Sequence, residues 1–242
     1  MSRSRSEIEL AAGAHAFTGF SSGALAFLSE LAANNDRDWF GANKDRYERF
    51  VLEPSLAFIG AIAPELRRIA PRFVAAARRS GGSLMRIHRD TRFSRNKQPY
   101  KTNVGIQFRH ELGKDVHAPG FYVHIEPGDC FVGAGIWHPA ADALAAIRAR
   151  IADEPQAWRR AKDAGSFADR FELSGEQLRR MPRGYDATHP LADDLRRKDF
   201  IGVCEYEIGA ILEPEFVAYV LDCFADARPL MRFLCAALGL RF

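Results

Sequence analysis

The sequence lacks the features that mark secreted and membrane-spanning proteins. Its four cysteines form no Cys-x-x-Cys pair, and each lies in an apolar run, so we expect reduced, buried thiols in a cytoplasmic protein. No apolar run approaches the roughly 20 residues that a membrane-spanning helix needs. The first 15 residues also lack an apolar core of signal-peptide length. We therefore expect no membrane partner.

The sequence also lacks internal divisions. No Pro/Gly/Ser-rich linker, repeat or low-complexity tract interrupts its 242 residues, of which 47% are hydrophobic. A chain of this size can bury one large core. We therefore predict a flexible N-terminal tail over residues 1–15 and a single domain over residues 16–242.

Motifs for covalent or metal chemistry are missing too. There is no Gly-x-Ser-x-Gly elbow, no cysteine with basic neighbours, and no P-loop lysine after the Gly-rich run at 80–83. A metal site could use His88, Asp90, His124 and His138, but no ligand spacing supports one, and we predict none. The sequence leaves open whether the protein is an enzyme, which residues would be catalytic, and which cofactor it would use.

Positive charge, by contrast, is concentrated in one stretch. Residues 84–109 contain five arginines and two lysines against a single acid, Asp90, a balance of +6 in a chain whose net charge is +3. The rest of the chain therefore carries −3. The segment from Asp90 to Pro99 has the polar, turn-prone composition of a loop, and loops of this length are often functional.

Alternating apolar and polar residues predict strands around this loop. A strand at 84–88 leads into it and a strand at 104–109 returns from it, followed by strands at 121–126, 130–137 and 200–208. Apolar residues at three- and four-residue spacings predict helices from Ser21 or Ser22, from Asp36 or Asp38 through Val51, from Pro54 and from Pro139, and again from Glu213 to the C-terminus. We therefore predict an α+β fold, a mainly antiparallel sheet with helices on one face and a polar cleft on the other.

The same alternation predicts what the open face carries. Gly133 and Gly135 fall on one strand face, where missing side chains let another group approach the backbone. Arginine donates paired hydrogen bonds to phosphate or carboxylate, and aromatic rings can stack on a base or sugar. Lys198 and Asp199 are expected in a solvated turn. The candidate ligand-binding residues are Arg86, His88, Arg89, Arg92, Lys97, Tyr100, Lys101, Tyr122, His124 and Trp137.

Three segments together resemble a known family. They are Phe-Leu-x-x-Leu-Ala-Ala-Asn-Asn-Asp-Arg-Asp-Trp-Phe at 27–40, Arg-Ile-His-Arg-Asp-Thr-Arg-Phe-Ser-Arg-Asn-Lys-Gln-Pro-Tyr-Lys-Thr-Asn at 86–103, and Gly-x-Gly-Ile-Trp-His-Pro at 133–139. The chain resembles domain-of-unknown-function family 2461 of bacteria and fungi, from about Phe17 to Asp199 or beyond. The resemblance implies a conserved single-domain protein and supplies no activity, cofactor or catalytic residue. His88 stands where the family often has tyrosine, which argues against an essential imidazole there.

Three functions are compatible with these patterns. The favoured one is a basic cleft that binds an anionic small molecule, phosphorylated or carboxylated, with or without catalysis. A nucleic-acid-binding module is the first alternative, because clustered cations lie near aromatic residues. A structural or partner-binding protein whose arginines pair internally with acids such as Glu126, Asp142 or Glu205 is the second. The oligomeric state stays open.

Overall fold

The computed structural model describes residues 17–113 and 117–242. The predicted tail over residues 1–15 lies outside the described residues. Within the described ranges, no helix has both the length and the apolar character needed to cross a bilayer.

The N-terminal third is a helical layer, as the apolar spacing predicts. Asp36 caps the second helix by accepting hydrogen bonds from the backbone N–H groups of Asp38 and Trp39, at 2.9 and 2.8 Å. The single helix predicted from Asp36 to Val51 is divided into three pieces. The elements are α1 (Ser22–Ala33), α2 (Arg37–Ala42), α3 (Lys44–Tyr47), a π-helical turn (Glu48–Leu52) and α4 (Glu53–Ile69).

A six-stranded antiparallel sheet follows, in the order β1-β2-β3-β4-β6-β5. The predicted antiparallel α+β architecture is confirmed. Ile106 pairs with Val123 and Val123 with Val132, so apolar residues of neighbouring strands share one face. The strands are β1 (Phe73–Val74), β2 (Val104–His110), β3 (Gly120–Glu126), β4 (Asp129–Ile136), β5 (Glu172–Ser174) and β6 (Phe200–Glu205).

The prediction of a strand at 84–88 was wrong. This segment makes only isolated bridges, Leu84 with Ile106 and His88 with Tyr100. Its second half pairs with the returning chain instead of with β2, since Lys101 N–H donates to the Ile87 carbonyl and Arg89 N–H to the Pro99 carbonyl, both at 2.8 Å. These bonds close the base of the predicted loop at 90–99. They take the place of a regular series of hydrogen bonds between residues 84–88 and β2.

Helices cover one face of the sheet. Phe224 lies against Phe108 and Phe121, with ring centroids 5.5 and 4.6 Å away, and all three rings are fully buried. The four cysteines are buried and not disulfide-bonded, as expected. The remaining helices are α5 (Ala141–Asp153), α6 (Pro155–Lys162), α7 (Gly165–Ala168), α8 (Ala192–Leu195), a 3₁₀ turn (Ile208–Leu212), α9 (Phe216–Asp226) and α10 (Arg228–Ala237).

Burial predicts a large loss of stability when one phenylalanine is truncated and almost none for another. Phe224→Ala should lower the free energy of unfolding by about 3–5 kcal/mol, because it removes the ring that joins α9 to the sheet. Phe93 is 95% exposed, so Phe93→Ala should change stability by less than about 0.5 kcal/mol. Urea unfolding of both variants measures the difference, and equal losses would contradict the packing described here.

Candidate functional site

The face of the sheet opposite these helices carries a cavity of about 530 Å³. Its floor follows from strand register: Gln107 pairs with Tyr122, Tyr122 with Gly133, and Gly133 with Val203. Because side chains alternate between faces, every residue in this row points away from the helices. Glycines in β3 and β4 leave the floor low enough for a ligand to approach the backbone.

The lining of the cavity is amphipathic. Apolar side chains from β4, β6 and the segment at 84–88 form most of the wall, and four of the five polar side chains come from β2, β3 and Lys101, whereas Ser174 comes from β5. The apolar members are Met85, Ala118, Phe131, Ala134, Trp137, Ile201 and Val203, and the polar side chains are Lys101, Gln107, Tyr122, His124 and Ser174.

Lys101 brings a positive charge to the wall of the cavity. Burial lowers the pKa of its ammonium group, and the nearby positive charge of Arg86 lowers that pKa further. Within residues 17–113 and 117–242, Lys101 forms no salt bridge with an acid; its Nζ lies 4.0 Å from the Met85 sulfur. The positive charge of Arg86 near this ammonium group raises the electrostatic potential at the cavity wall.

A second polar group lies around His124. The Tyr122 hydroxyl is 3.1 Å from His124 Nδ1, and burial raises the pKa of Tyr122 to about 12, so its hydroxyl stays protonated. His124 Nε2 faces Glu126 at 3.3 Å and Asp129 at 3.8 Å. Among the described residues, His124, Glu126 and Asp129 are the one group of His, Cys, Asp or Glu side chains close enough together to hold a metal ion.

Four of the ten predicted ligand-binding residues line the cavity: Lys101, Tyr122, His124 and Trp137. The others lie elsewhere. Tyr100 is only 6% exposed and stacks on Phe40 with 4.1 Å between ring centroids, so it belongs to the core. The other five predicted residues precede Tyr100 in the chain and do not line the cavity. They are Arg86, His88, Arg89, Arg92 and Lys97.

Two of the sequence motifs meet at Tyr100. The Asn35 side-chain amide donates to the Tyr100 carbonyl at 3.1 Å and accepts from the Tyr100 N–H at 3.0 Å. Phe40, from the same N-terminal motif, provides the ring on which Tyr100 stacks. The helical layer therefore holds the base of the basic loop, which we define as residues 89–98.

The chain matches the family model described as "Conserved hypothetical protein (DUF2461)" over residues 23–233. It belongs to that family. No curated protein and no solved structure matches it. The matched range spans all three sequence motifs and both sides of the cavity. The family description supplies no activity, so the site has to be interpreted from its own geometry.

Sequence reasoning missed one arrangement at the rim of the cavity. Asp199, predicted in a solvated turn, is 1% exposed. Its carboxylate accepts hydrogen bonds from the backbone N–H of His138 at 2.7 Å and of Glu176 at 2.9 Å, and it lies 3.0 Å from His138 Nδ1. Asp199 thus ties the end of β4 to the segment after β5, and buried backbone donors need such a partner.

Glycine makes this closure sterically feasible. Gly175 has φ +106°, and a Cβ atom there would lie 2.5 Å from the Asp199 Cβ. Neither contact has a short-range sequence signal, since Asp199 lies 61 residues from His138 and 23 from Glu176. The Gly-x-Gly-Ile-Trp-His-Pro motif marked His138 but not its partner.

The electrostatics of Lys101 predict a pH effect. Its pKa in the folded protein is below the value of 10.5 taken for the unfolded chain, so between those two values the unfolded state binds more protons. The contribution of Lys101 to the free energy of unfolding should therefore rise with pH in this alkaline window. Urea unfolding of the parent and of Lys101→Met at a series of pH values isolates it. A stability difference that does not change with pH would contradict the assignment.

Proposed function

We propose that the cavity binds a small molecule with an apolar, planar body and an anionic group, a carboxylate or phosphate, placed against Lys101. The observation that carries this proposal is the half-buried ammonium group, which lines the cavity beside Arg86 and pairs with no acid among the described residues. Binding an anion would offset both the burial of Lys101 and its repulsion from Arg86. A charge-assisted hydrogen bond of this kind contributes about 1.5–3 kcal/mol.

The volume and lining of the cavity support a ligand with an apolar, planar body. Its volume of about 530 Å³ lies in the range of about 300–1,000 Å³ common for small-molecule sites. Phe131, Ile201 and Val203 offer apolar surface over the glycine floor, and the Trp137 side chain is 49% exposed at the wall. An aromatic or fused-ring body would bury this surface, while Lys101 fixes its orientation.

Internal pairing of the arginines accounts for only part of the positive charge. Arg92 is paired with Asp90, with Nη2 to Oδ2 at 2.7 Å and Nε to Oδ1 at 3.0 Å. This pair lies on the exposed loop, and exposed pairs contribute little stability. If the cations of this stretch served only to pair with the protein's own acids, an acid would also have to pair with Lys101 in the cavity. No acid among the described residues does so.

Probe compounds of matched shape test the proposal. Benzoate and phenyl phosphate should raise the thermal midpoint, and neutral benzyl alcohol should not, because only the anions satisfy Lys101. At ten times the dissociation constant, the gain in the free energy of unfolding would be about 1.4 kcal/mol. Lys101→Met should abolish the effect. Lys44→Met removes an exposed lysine from α3 and is the matched control, which should bind as the parent does.

Equal stabilisation by all three compounds, or binding that survives Lys101→Met, would contradict an anion site at Lys101. No response to any probe in parent protein would contradict the proposed ligand class.

A substitution on the cavity floor tests where the ligand lies. A Cβ atom on Gly133 would meet nothing closer than 3.5 Å, the Tyr122 Cβ, so Gly133→Ala should fold normally. The added methyl group would occupy the floor and weaken binding of the anionic probes by about 1–3 kcal/mol. Gly60→Ala, on an exposed position of α4 with open space around it, is the control. Unchanged probe affinity in Gly133→Ala would place the ligand away from the floor.

A further inference from the structure

The basic loop is held firmly at its base and extends from there into solvent. Its first residue, Arg89, donates its backbone N–H to the carbonyl of Pro99, the residue that follows the loop, at 2.8 Å. The hydrogen bonds between Asn35 and Tyr100 lie one residue further along the chain. Within the loop, Lys97 Nζ donates to the Thr91 carbonyl at 2.9 Å, and Gln98 N–H donates to the Asn96 side chain at 2.9 Å. These contacts limit the conformations that the loop must give up on binding.

An aromatic ring lies at the outer part of this loop. The Phe93 side chain is 95% exposed, the most exposed of the large apolar side chains among the described residues. The Arg92 guanidinium lies over it, 5.8 Å from the ring centroid. A single exposed apolar side chain needs no partner on its own account, so the significance of Phe93 depends on the charges around it.

The charge around the ring is positive. Four cations and one acid give the basic loop a charge of +3, equal to the net charge of the whole chain. Asp90 pairs with Arg92. Within the part of the chain that the structure describes, Arg89 and Arg95 form no salt bridge. An exposed ring on the same short loop as these two unpaired arginines combines the two elements of a single-strand nucleic-acid site, a stacking surface and backbone-binding cations.

We propose that the basic loop binds single-stranded nucleic acid. Phe93 stacks on one base, and Arg89, Arg95 and Lys97 contact the phosphates on either side of it. The side-chain amides of Asn96 and Gln98 are exposed on the same loop, and the Gln98 amide nitrogen can donate to a base edge while Asn96 Nδ2 donates to Gln98 Oε1 at 3.1 Å. This site is separate from the cavity, because the loop contributes no residue to the cavity lining.

The composition of the loop favours a nucleic acid over an anionic membrane. Peripheral membrane binding scales with the apolar area inserted and needs more than one weak anchor. Phe93 is the one large apolar side chain between residues 89 and 98. A single ring is enough to stack on one base, which contributes about 1–3 kcal/mol.

The small net charge of the remaining chain sets the expected strength. Outside the basic loop the chain is neutral overall, so no long-range field adds to the local contacts. We expect weak binding that spans few nucleotides. With about three phosphates contacted, the logarithm of the association constant should fall against the logarithm of salt concentration with a slope of about −2.

Fluorescence anisotropy with a labelled oligodeoxythymidine of about ten nucleotides tests this inference. Phe93→Ala should weaken binding about fivefold or more at every salt concentration and leave the slope unchanged, because it removes stacking alone. Arg89→Gln combined with Arg95→Gln should weaken binding and reduce the slope to about −0.7, because two phosphate contacts are lost. Arg67→Gln, an exposed cation on α4, should behave as the parent does.

Three results would overturn the inference. The parent protein could fail to bind the oligonucleotide at low salt, or the loop variants could bind it as tightly as the parent does. The third result is a parent protein that is retained on vesicles of anionic phospholipid and does not bind the oligonucleotide. Lys101→Met separates this site from the cavity, since it should lose the small anionic probes and keep the oligonucleotide. The two proposals can therefore fail independently.

Discussion

The two-residue alternation of side chains along β2, β3, β4 and β6 is the constraint on which the rest of the structure depends. Each strand sends one set of residues into the helical core and the other set into the cavity. A slip of one residue in register would exchange the two sets, burying Tyr122 and exposing Phe121. The core therefore determines which residues line the cavity. Because Phe121 and Val123 are buried against the helices, Tyr122 and His124 must point to the opposite face of the sheet.

The stretch richest in positive charge serves two different regions. Lys101 follows the base of the basic loop and reaches the cavity wall, whereas Arg89 and Arg95 lie on the loop itself. Stacking of Tyr100 on Phe40 and the Asn35 clamp lie between them. A buried anchor in the middle of a basic segment thus divides its charges between two regions, one at the cavity wall and one on the exposed loop.

Most of the fold followed from the sequence, and the failures have physical causes. Periodicity placed β2, β3 and β4 to within a residue or two, because a half-buried strand needs alternation. It failed at 84–88, where the backbone bonds to residues 99–101 replace a ladder along β2. It also failed in treating the segment from Asp36 to Val51 as one helix, because apolar spacing does not register the interruptions around Asn43 and the π-helical turn.

Of the site, the sequence by itself determined the glycine floor, the aromatic and imidazole groups on the open face, and the excess of cations nearby, because each depends on residue type and alternation. Only the tertiary structure decided which cation reaches the cavity, that Tyr100 is a core residue, and that Asp199 joins His138 to the segment after β5. These outcomes depend on contacts between residues 23 to 65 positions apart. Local patterns specify which face a side chain takes, whereas long-range packing specifies what it meets there.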